Sequence, residues 1–326
     1  MEEVLVWILD RLHNIGLSPD AESLAAGLLC GEKSLLSTET IHDMRDAGMS
    51  HLLAVSGLHI GLLWTLLWLA LRPVLLIPYH LNLYEIAWNR ALRLVSVALL
   101  WLYVWMIGFP PSAVRAATML TVAQVSPLFG VDSWGWQNLV IAALLMLCCD
   151  PSQVASVGFQ LSFAAMAGIL AFHPLAESGN DYIMRSRRHG LWSLLRPVRN
   201  LLLLTFSAQL FTLPLTAYYF HHLPLLGWVQ GFLVVPVIAF LIYGLLLLLM
   251  LPPAAGLIAV GTENLYHWLS LPVEALSWWV MHVARWTSQM ELWLVGGRVE
   301  FYPSVGETVL LEIILVGLTV SVSRRW

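Results

Sequence analysis

His51, Ser56 and His59 lie in the segment Ser50–Gly61, where a long apolar stretch begins. Residues three or four apart share one face of a helix, so a helix through this segment is predicted to align His51 with His59 and to place Ser56 at the edge of that face. A serine hydroxyl beside an imidazole is the pairing of a nucleophile with its general base. Histidines in apolar surroundings also line polar lumens or make structural hydrogen bonds. These interpretations stay open at the level of the sequence.

Three further polar residues, Arg115, Gln160 and Gln209, interrupt apolar runs. Ionisable residues at membrane depth are costly and mark candidate functional sites. Arg115 stands in the first turns of a predicted helix, where the macrodipole opposes a cation, so a phosphate or a carboxylate nearby would favour it. Extension of its side chain to the lipid headgroups is the alternative. The two glutamines are predicted either to hydrogen-bond between helices or to line a pore.

Gly57 and Gly61 form a pair of small residues one helical turn apart, beside the histidines. Such pairs let a second helix approach closely enough for backbone packing within a membrane. The sequence therefore predicts a helix contact at both glycines.

Several catalytic motifs are missing from the sequence. There is no HExxH, no CxxC pair and no HxHxDH cluster, so no metal site is predicted. There is also no glycine-rich loop ending in Lys-Ser or Lys-Thr, and so no ATP motor of its own. The apolar run that contains Ser56 and His59 offers no clear carboxylate to orient the imidazole. We therefore predict neither catalytic residues nor a cofactor.

Composition places the chain in a membrane. Of its 326 residues, 59% are hydrophobic and only 11% are charged, whereas soluble domains carry about 25% charged residues. The fold class predicted is an all-α polytopic membrane protein with about seven to nine transmembrane helices. Residues 1–47 are predicted as short amphipathic helices that precede a transmembrane domain at 48–326.

Eight apolar segments are long enough to consider as crossings. One more segment, 265–290, combines four tryptophans with charged residues and fits an interfacial helix about as well as a span. The eight apolar segments lie near 52–71, 91–109, 113–130, 138–149, 156–172, 200–219, 225–251 and 306–322.

The run GMSHLLAVSGLHIG at 48–61 resembles the signature of the ComEC competence-protein family. Further segments occur in the order and approximate spacing that this family shows, and the resemblance covers most of residues 16–251. These segments are LSPD at 17–20, AGLLCG at 26–31, PSAVRAA at 111–117, GFQLSF at 158–163 and QLFTLP at 209–214.

The resemblance implies a multi-helix pore in the bacterial inner membrane that passes one strand of incoming DNA into the cytoplasm. It implies single-stranded DNA and the lipid bilayer as partners, with a cytoplasmic helicase or ATPase, a DNA-receptor protein and a separate nuclease domain as further partners. The OB-like and metallo-β-lactamase-like domains that family members often carry have no counterpart in this sequence. We therefore expect the membrane-embedded domain alone, as a fragment or as a short member of the family.

Two other functions are compatible with the same residues. An intramembrane hydrolase would use Ser56 and His59, and a proton-coupled transporter of small molecules would use His51 and His59 as relay groups. Under the channel hypothesis, the residues expected along the DNA path are His51, Ser56, Gly57, His59, Arg115, Gln160 and Gln209.

Overall fold

A computed structural model of the chain has only helices as regular elements in the part that it describes, which confirms the predicted all-α class. The described residues are 2–49, 52–53, 56–71, 73, 85–130, 135–185, 191–221, 226–250, 262–295 and 302–323.

Twelve α-helices and two short 3₁₀ turns follow one another within these ranges. In chain order, the helices are α1 (Glu2–Ile15), α2 (Pro19–Cys30), α3 (Thr38–Asp46), α4 (Gly57–Leu71), α5 (Glu85–Met106), α6 (Pro111–Val125), α7 (Trp136–Cys149), α8 (Val157–Arg185), α9 (Leu191–Phe220), α10 (Gly227–Met250), α11 (Thr262–Val295) and α12 (Val305–Ser323), with 3₁₀ turns at Ser126–Phe129 and Pro151–Ala155.

Three of the described helices are long and apolar enough to cross a membrane. The qualifying stretches are Val157–Pro174 in α8, Val198–Phe220 in α9 and Val229–Leu249 in α10. Helices α4 and α7 are apolar but shorter. These helices support a membrane protein, and the count of seven to nine crossings stays a prediction.

Local sequence signals set the ends of the N-terminal helices. Pro19 opens α2 at a position where its missing N–H costs nothing. Gly31 closes α2 with φ 75°, and its N–H bonds back to the last turn. The Ser37 hydroxyl accepts a hydrogen bond from the Thr40 N–H at 3.1 Å and so caps α3.

The chain divides into two compact units. The first contains Met1–Ser133 and Leu233–Ser288, and the second contains Trp134–Phe232 and Gln289–Trp326. The predicted division at residue 47 stays a prediction.

The main core of the first unit joins α1, α2 and α3 to α10 and α11. Helix α2 is buried along most of its length, because its alanines and Gly27 allow neighbours to approach from several sides. Leu24 and Leu28 are fully enclosed, as are Met44 of α3 and Leu241 of α10. The helices predicted within residues 1–47 therefore form, and much of their apolar surface is covered by protein.

In the second unit, α8 packs closely against α9. A Cβ atom on Gly168 would overlap the backbone carbonyl oxygen of Ser207, so only glycine fits at this crossing. Ser207 itself is fully buried. The contact fixes how the two helices approach.

Candidate functional site

Ser56 and His59 contact each other at the start of α4. The Ser56 Oγ lies 2.8 Å from Nδ1 of His59, and the Ser56 backbone N–H donates to the same nitrogen at 3.1 Å. Counted from Gly57, the first helical residue, Ser56 is the N-cap and His59 is the third residue. A side chain at this third position that accepts from the N-cap N–H is half of a capping box, in which glutamate or glutamine is usual. His59 therefore caps α4.

The predicted helix through Leu52 is wrong. Leu52 and Leu53 lie in a turn, Ser56 is outside the helix, and α4 begins at Gly57. The physical reason is the capping contact. It gives the Ser56 N–H a side-chain partner instead of a helical one, so the helix starts only after Ser56. His51 lies outside the described residues, so its predicted alignment with His59 stays a prediction.

The two contacts with Ser56 fix which nitrogen of the neutral His59 ring carries the proton. A backbone N–H can only donate, so Nδ1 is an acceptor, and in the neutral ring the proton sits on Nε2. A general base would need the same Nδ1 lone pair to take the Ser56 hydroxyl proton. His59 is 3% exposed, so little solvent reaches it. The geometry is that of a helix cap. Activation of Ser56 as a nucleophile would need the Nδ1 lone pair that already accepts the Ser56 backbone N–H.

Arg115 and Gly57 belong to two helices in contact. A Cβ on Gly57 would lie 3.6 Å from the Ala116 Cβ, so α4 begins against α6. Among the described residues, no atom lies within 4 Å of the Cβ position of Gly61, so the packing role predicted for Gly61 stays a prediction. Arg115, next to Ala116, is 6% exposed. Its side chain is enclosed by protein rather than extended to a surface.

Two polar contacts join α5 to α6 further along α6, and sequence reasoning missed them. Arg93 donates to Oε1 of Gln124 at 3.0 Å. The Trp101 indole N–H donates to the Thr121 hydroxyl at 2.9 Å. Thr121 and Gln124 are three residues apart in an apolar helix, which was the signal available in the sequence. These bonds hold α5 against α6, the helix that carries Arg115.

The two predicted glutamines lie in the second unit. Gln160 accepts from the Tyr219 hydroxyl at 2.8 Å and donates to the Val154 carbonyl at 2.9 Å. This is the bonding expected of a residue that links helices. The amide of Gln209 fills the space that a Cβ on Gly227 would need.

The free thiol of Cys30 lies at the end of α2. Burial raises the pKa of this thiol to about 11, and the charge of nearby Glu32 adds to the rise. A thiol with such a pKa holds little thiolate at neutral pH and is a poor nucleophile. Among the residues with described positions, no group of three or more His, Cys, Asp or Glu side chains could hold a metal ion.

The chain is similar in sequence to several known proteins. The chain is 26% identical over 82% of its length to "Uncharacterized protein YcaI" of Escherichia coli. It is 26% identical over 69% of its length to "ComE operon protein 3" of Bacillus subtilis. It is 32% identical over 48% of its length to "Competence protein ComA" of Neisseria gonorrhoeae.

The chain spans only part of these relatives: 34%, 26% and 22% of their respective lengths. No solved structure matches it. The family model described as "Competence protein" matches residues 28–321, which include α3 to α11 in full and the capped start of α4. The chain belongs to the Competence protein family.

Proposed function

We propose that this chain is the membrane-embedded channel domain through which a single strand of DNA enters the cytoplasm during natural transformation. The observation that carries the proposal is the match to the competence family over residues 28–321. Apolar helices long enough to cross a membrane support it. The location is the bacterial inner membrane, which the chain crosses several times.

A conduit for single-stranded DNA needs cations for phosphates and a polar wall. Arg115 supplies a buried cation next to Ala116, which lies against the start of α4. His51 is a protonatable group in the same part of the sequence, whereas His59 caps α4. Because no ATP-binding loop is present in the sequence, the energy comes from partners: a cytoplasmic helicase or ATPase, a DNA-receptor protein and a separate nuclease domain.

Complementation of a naturally competent host that lacks its own channel tests the proposal. The host would produce this chain with and without a co-expressed nuclease domain, and transformants would be counted. Arg115→Ala is expected to abolish uptake and Arg115→Lys to retain part of it. Arg90→Ala, which removes an exposed arginine, is the matched control and should transform normally. Full uptake by an inserted Arg115→Ala chain would contradict a role for Arg115 in the DNA path.

A second function, intramembrane hydrolysis, is favoured by the 2.8 Å contact between Ser56 Oγ and His59 Nδ1. The substitution His59→Gln separates the two functions. Glutamine suits the third position of a capping box but is not a general base. A channel should therefore transform with His59→Gln, whereas a hydrolase should lose labelling of Ser56 by a fluorophosphonate. Labelling in the parent chain that disappears in both Ser56→Ala and His59→Gln would establish the hydrolase instead.

A further inference from the structure

Helix α11 carries a line of exposed tryptophans. Trp268, Trp279 and Trp286 are 69%, 41% and 49% exposed. They are separated by 11 and 7 residues, which are about three and two helical turns, so all three lie on one narrow face. Ala275, also exposed, falls on the same line.

The opposite face of α11 is buried in the first unit. Val273, Ser277, Val280 and Ala284 are each 4% exposed or less. They recur at spacings of three and four residues and lie against the core that contains the N-terminal helices and α10. The tryptophan line therefore faces away from the protein.

One flank of the tryptophan line is polar. Glu274 accepts a hydrogen bond from the Ser18 N–H at 3.1 Å. Arg285 lies three turns further along and forms ion pairs with Asp43 at 3.4 Å and Glu39 at 3.6 Å. These contacts are exposed to solvent and connect α11 to α3 and to the start of α2. This flank requires water or polar neighbours along its length.

The other flank is apolar. Leu269, Leu276 and Val283 follow one another at intervals of seven residues, and they belong to the core of the first unit or pack against it. The exposed surface of α11 therefore carries indoles next to charged residues, while its aliphatic flank is covered by protein. Tryptophan beside charged groups is typical of the headgroup layer of a bilayer, between water and hydrocarbon.

A membrane-spanning orientation does not fit this pattern. Trp268 and Trp286 are 18 residues apart, or about 27 Å along the axis, which is nearly the thickness of the hydrocarbon core. If α11 spanned, Glu274, Trp279 and the ion-paired Arg285 would be spread through that core. Helix α11 is also absent from the three described helices that are apolar enough to cross.

We propose that the Trp268–Trp279–Trp286 face binds the lipid headgroup layer, with α11 lying in the plane of the membrane. Its Glu274 and Arg285 flank then faces water together with α3. This proposal concerns the lipid contact of α11 and does not depend on the channel function.

Depth measurements on single-cysteine chains test it. The chain with Cys30→Ala, Cys148→Ser and Cys149→Ser would carry either Ala275→Cys or His282→Cys, and each new cysteine would receive a nitroxide label. Power saturation with oxygen and a water-soluble nickel chelate would report depth in vesicles of phosphatidylethanolamine and phosphatidylglycerol. Both positions are exposed, and neither substitution removes a tryptophan. We expect the two labels to lie at one depth, within about 5 Å, near the phosphates.

Phe240→Cys and Leu247→Cys in α10 are the matched controls, because they are also exposed and seven residues apart. In a spanning helix, this spacing gives a difference of about 10 Å in depth. A difference as large between positions 275 and 282 would overturn the proposal, since α11 would then cross the membrane. Labels at both positions that were fully accessible to the nickel chelate, with no oxygen enrichment, would also overturn it, since the face would then meet water.

Discussion

Replacing His59 with alanine should destabilise the chain, because it removes the acceptor of the half-buried Ser56 N–H. Loss of a helix cap costs about 0.5–2 kcal/mol in soluble proteins. Because the Ser56 N–H is only half-buried, we expect a loss in that range, about 0.5–2 kcal/mol, in the free energy of unfolding. His59→Gln, which supplies another neutral acceptor at the same helical position, should cost less than half as much.

The Ser56 hydroxyl contributes separately. Ser56→Ala removes the 2.8 Å contact with Nδ1 and leaves the backbone N–H bond in place. Polar side-chain contacts in membrane proteins contribute about 0.6 kcal/mol on average and up to about 1.7. The coupling energy between Ser56→Ala and His59→Ala should fall in that range.

The double-mutant cycle consists of the parent chain, Ser56→Ala, His59→Ala and the chain with both substitutions. The stability of each is measured by unfolding in mixed micelles with increasing dodecyl sulfate, followed by circular dichroism. The control is Thr65→Ala, within α4, where the hydroxyl donates only to the carbonyl of Gly61 in its own helix. The capping account would be refuted if His59→Gln were as destabilising as His59→Ala, or if neither differed from the parent chain.

Three other outcomes follow from single contacts. Gly168→Ala should cost about 1–3 kcal/mol, measured by the same unfolding experiment, because the added methyl group meets the rigid Ser207 carbonyl; an unchanged stability would contradict this crossing. Gly61→Ala should leave stability unchanged or raise it by up to about 1 kcal/mol, since its Cβ position is open, and a loss would support the packing role predicted from the sequence. With its pKa of about 11, Cys30 should react with maleimide at pH 8 roughly tenfold more slowly than an introduced Lys33→Cys, because the lower thiolate fraction outweighs the higher nucleophilicity. Its rate should keep rising above pH 9, and a plateau below that pH would contradict the raised pKa.

The sequence predicts helices wherever its apolar periodicity is long. The segment predicted at 138–149 is α7, which spans Trp136–Cys149, and the segment at 306–322 is α12, which spans Val305–Ser323. The start of α4 was missed by five residues, because periodicity carries no information about which side chain captures the first free N–H groups.

Partners distant in sequence were also beyond prediction. Gln160 was identified as a polar residue in an apolar run, but its partner Tyr219 is 59 positions away on another helix. The orientation of α11 stayed open for the same reason. Its composition fits two environments, and only the ion pairs from Arg285 to Asp43 and Glu39 show which flank is polar.

The use of histidine at the third position of α4 has a physical explanation. A glutamate there would accept the same N–H bond, but it would bring a net charge into a site where the side chain is 3% exposed, and burial of an unpaired charge costs several kcal/mol. The neutral imidazole provides an acceptor at Nδ1 without that cost. His59→Glu should therefore be more destabilising than His59→Gln, although glutamate is the usual residue of a capping box. The difference should shrink as the pH is lowered and the carboxylate takes up a proton. Equal stabilities for the two variants at neutral pH would show that the start of α4 is open to water.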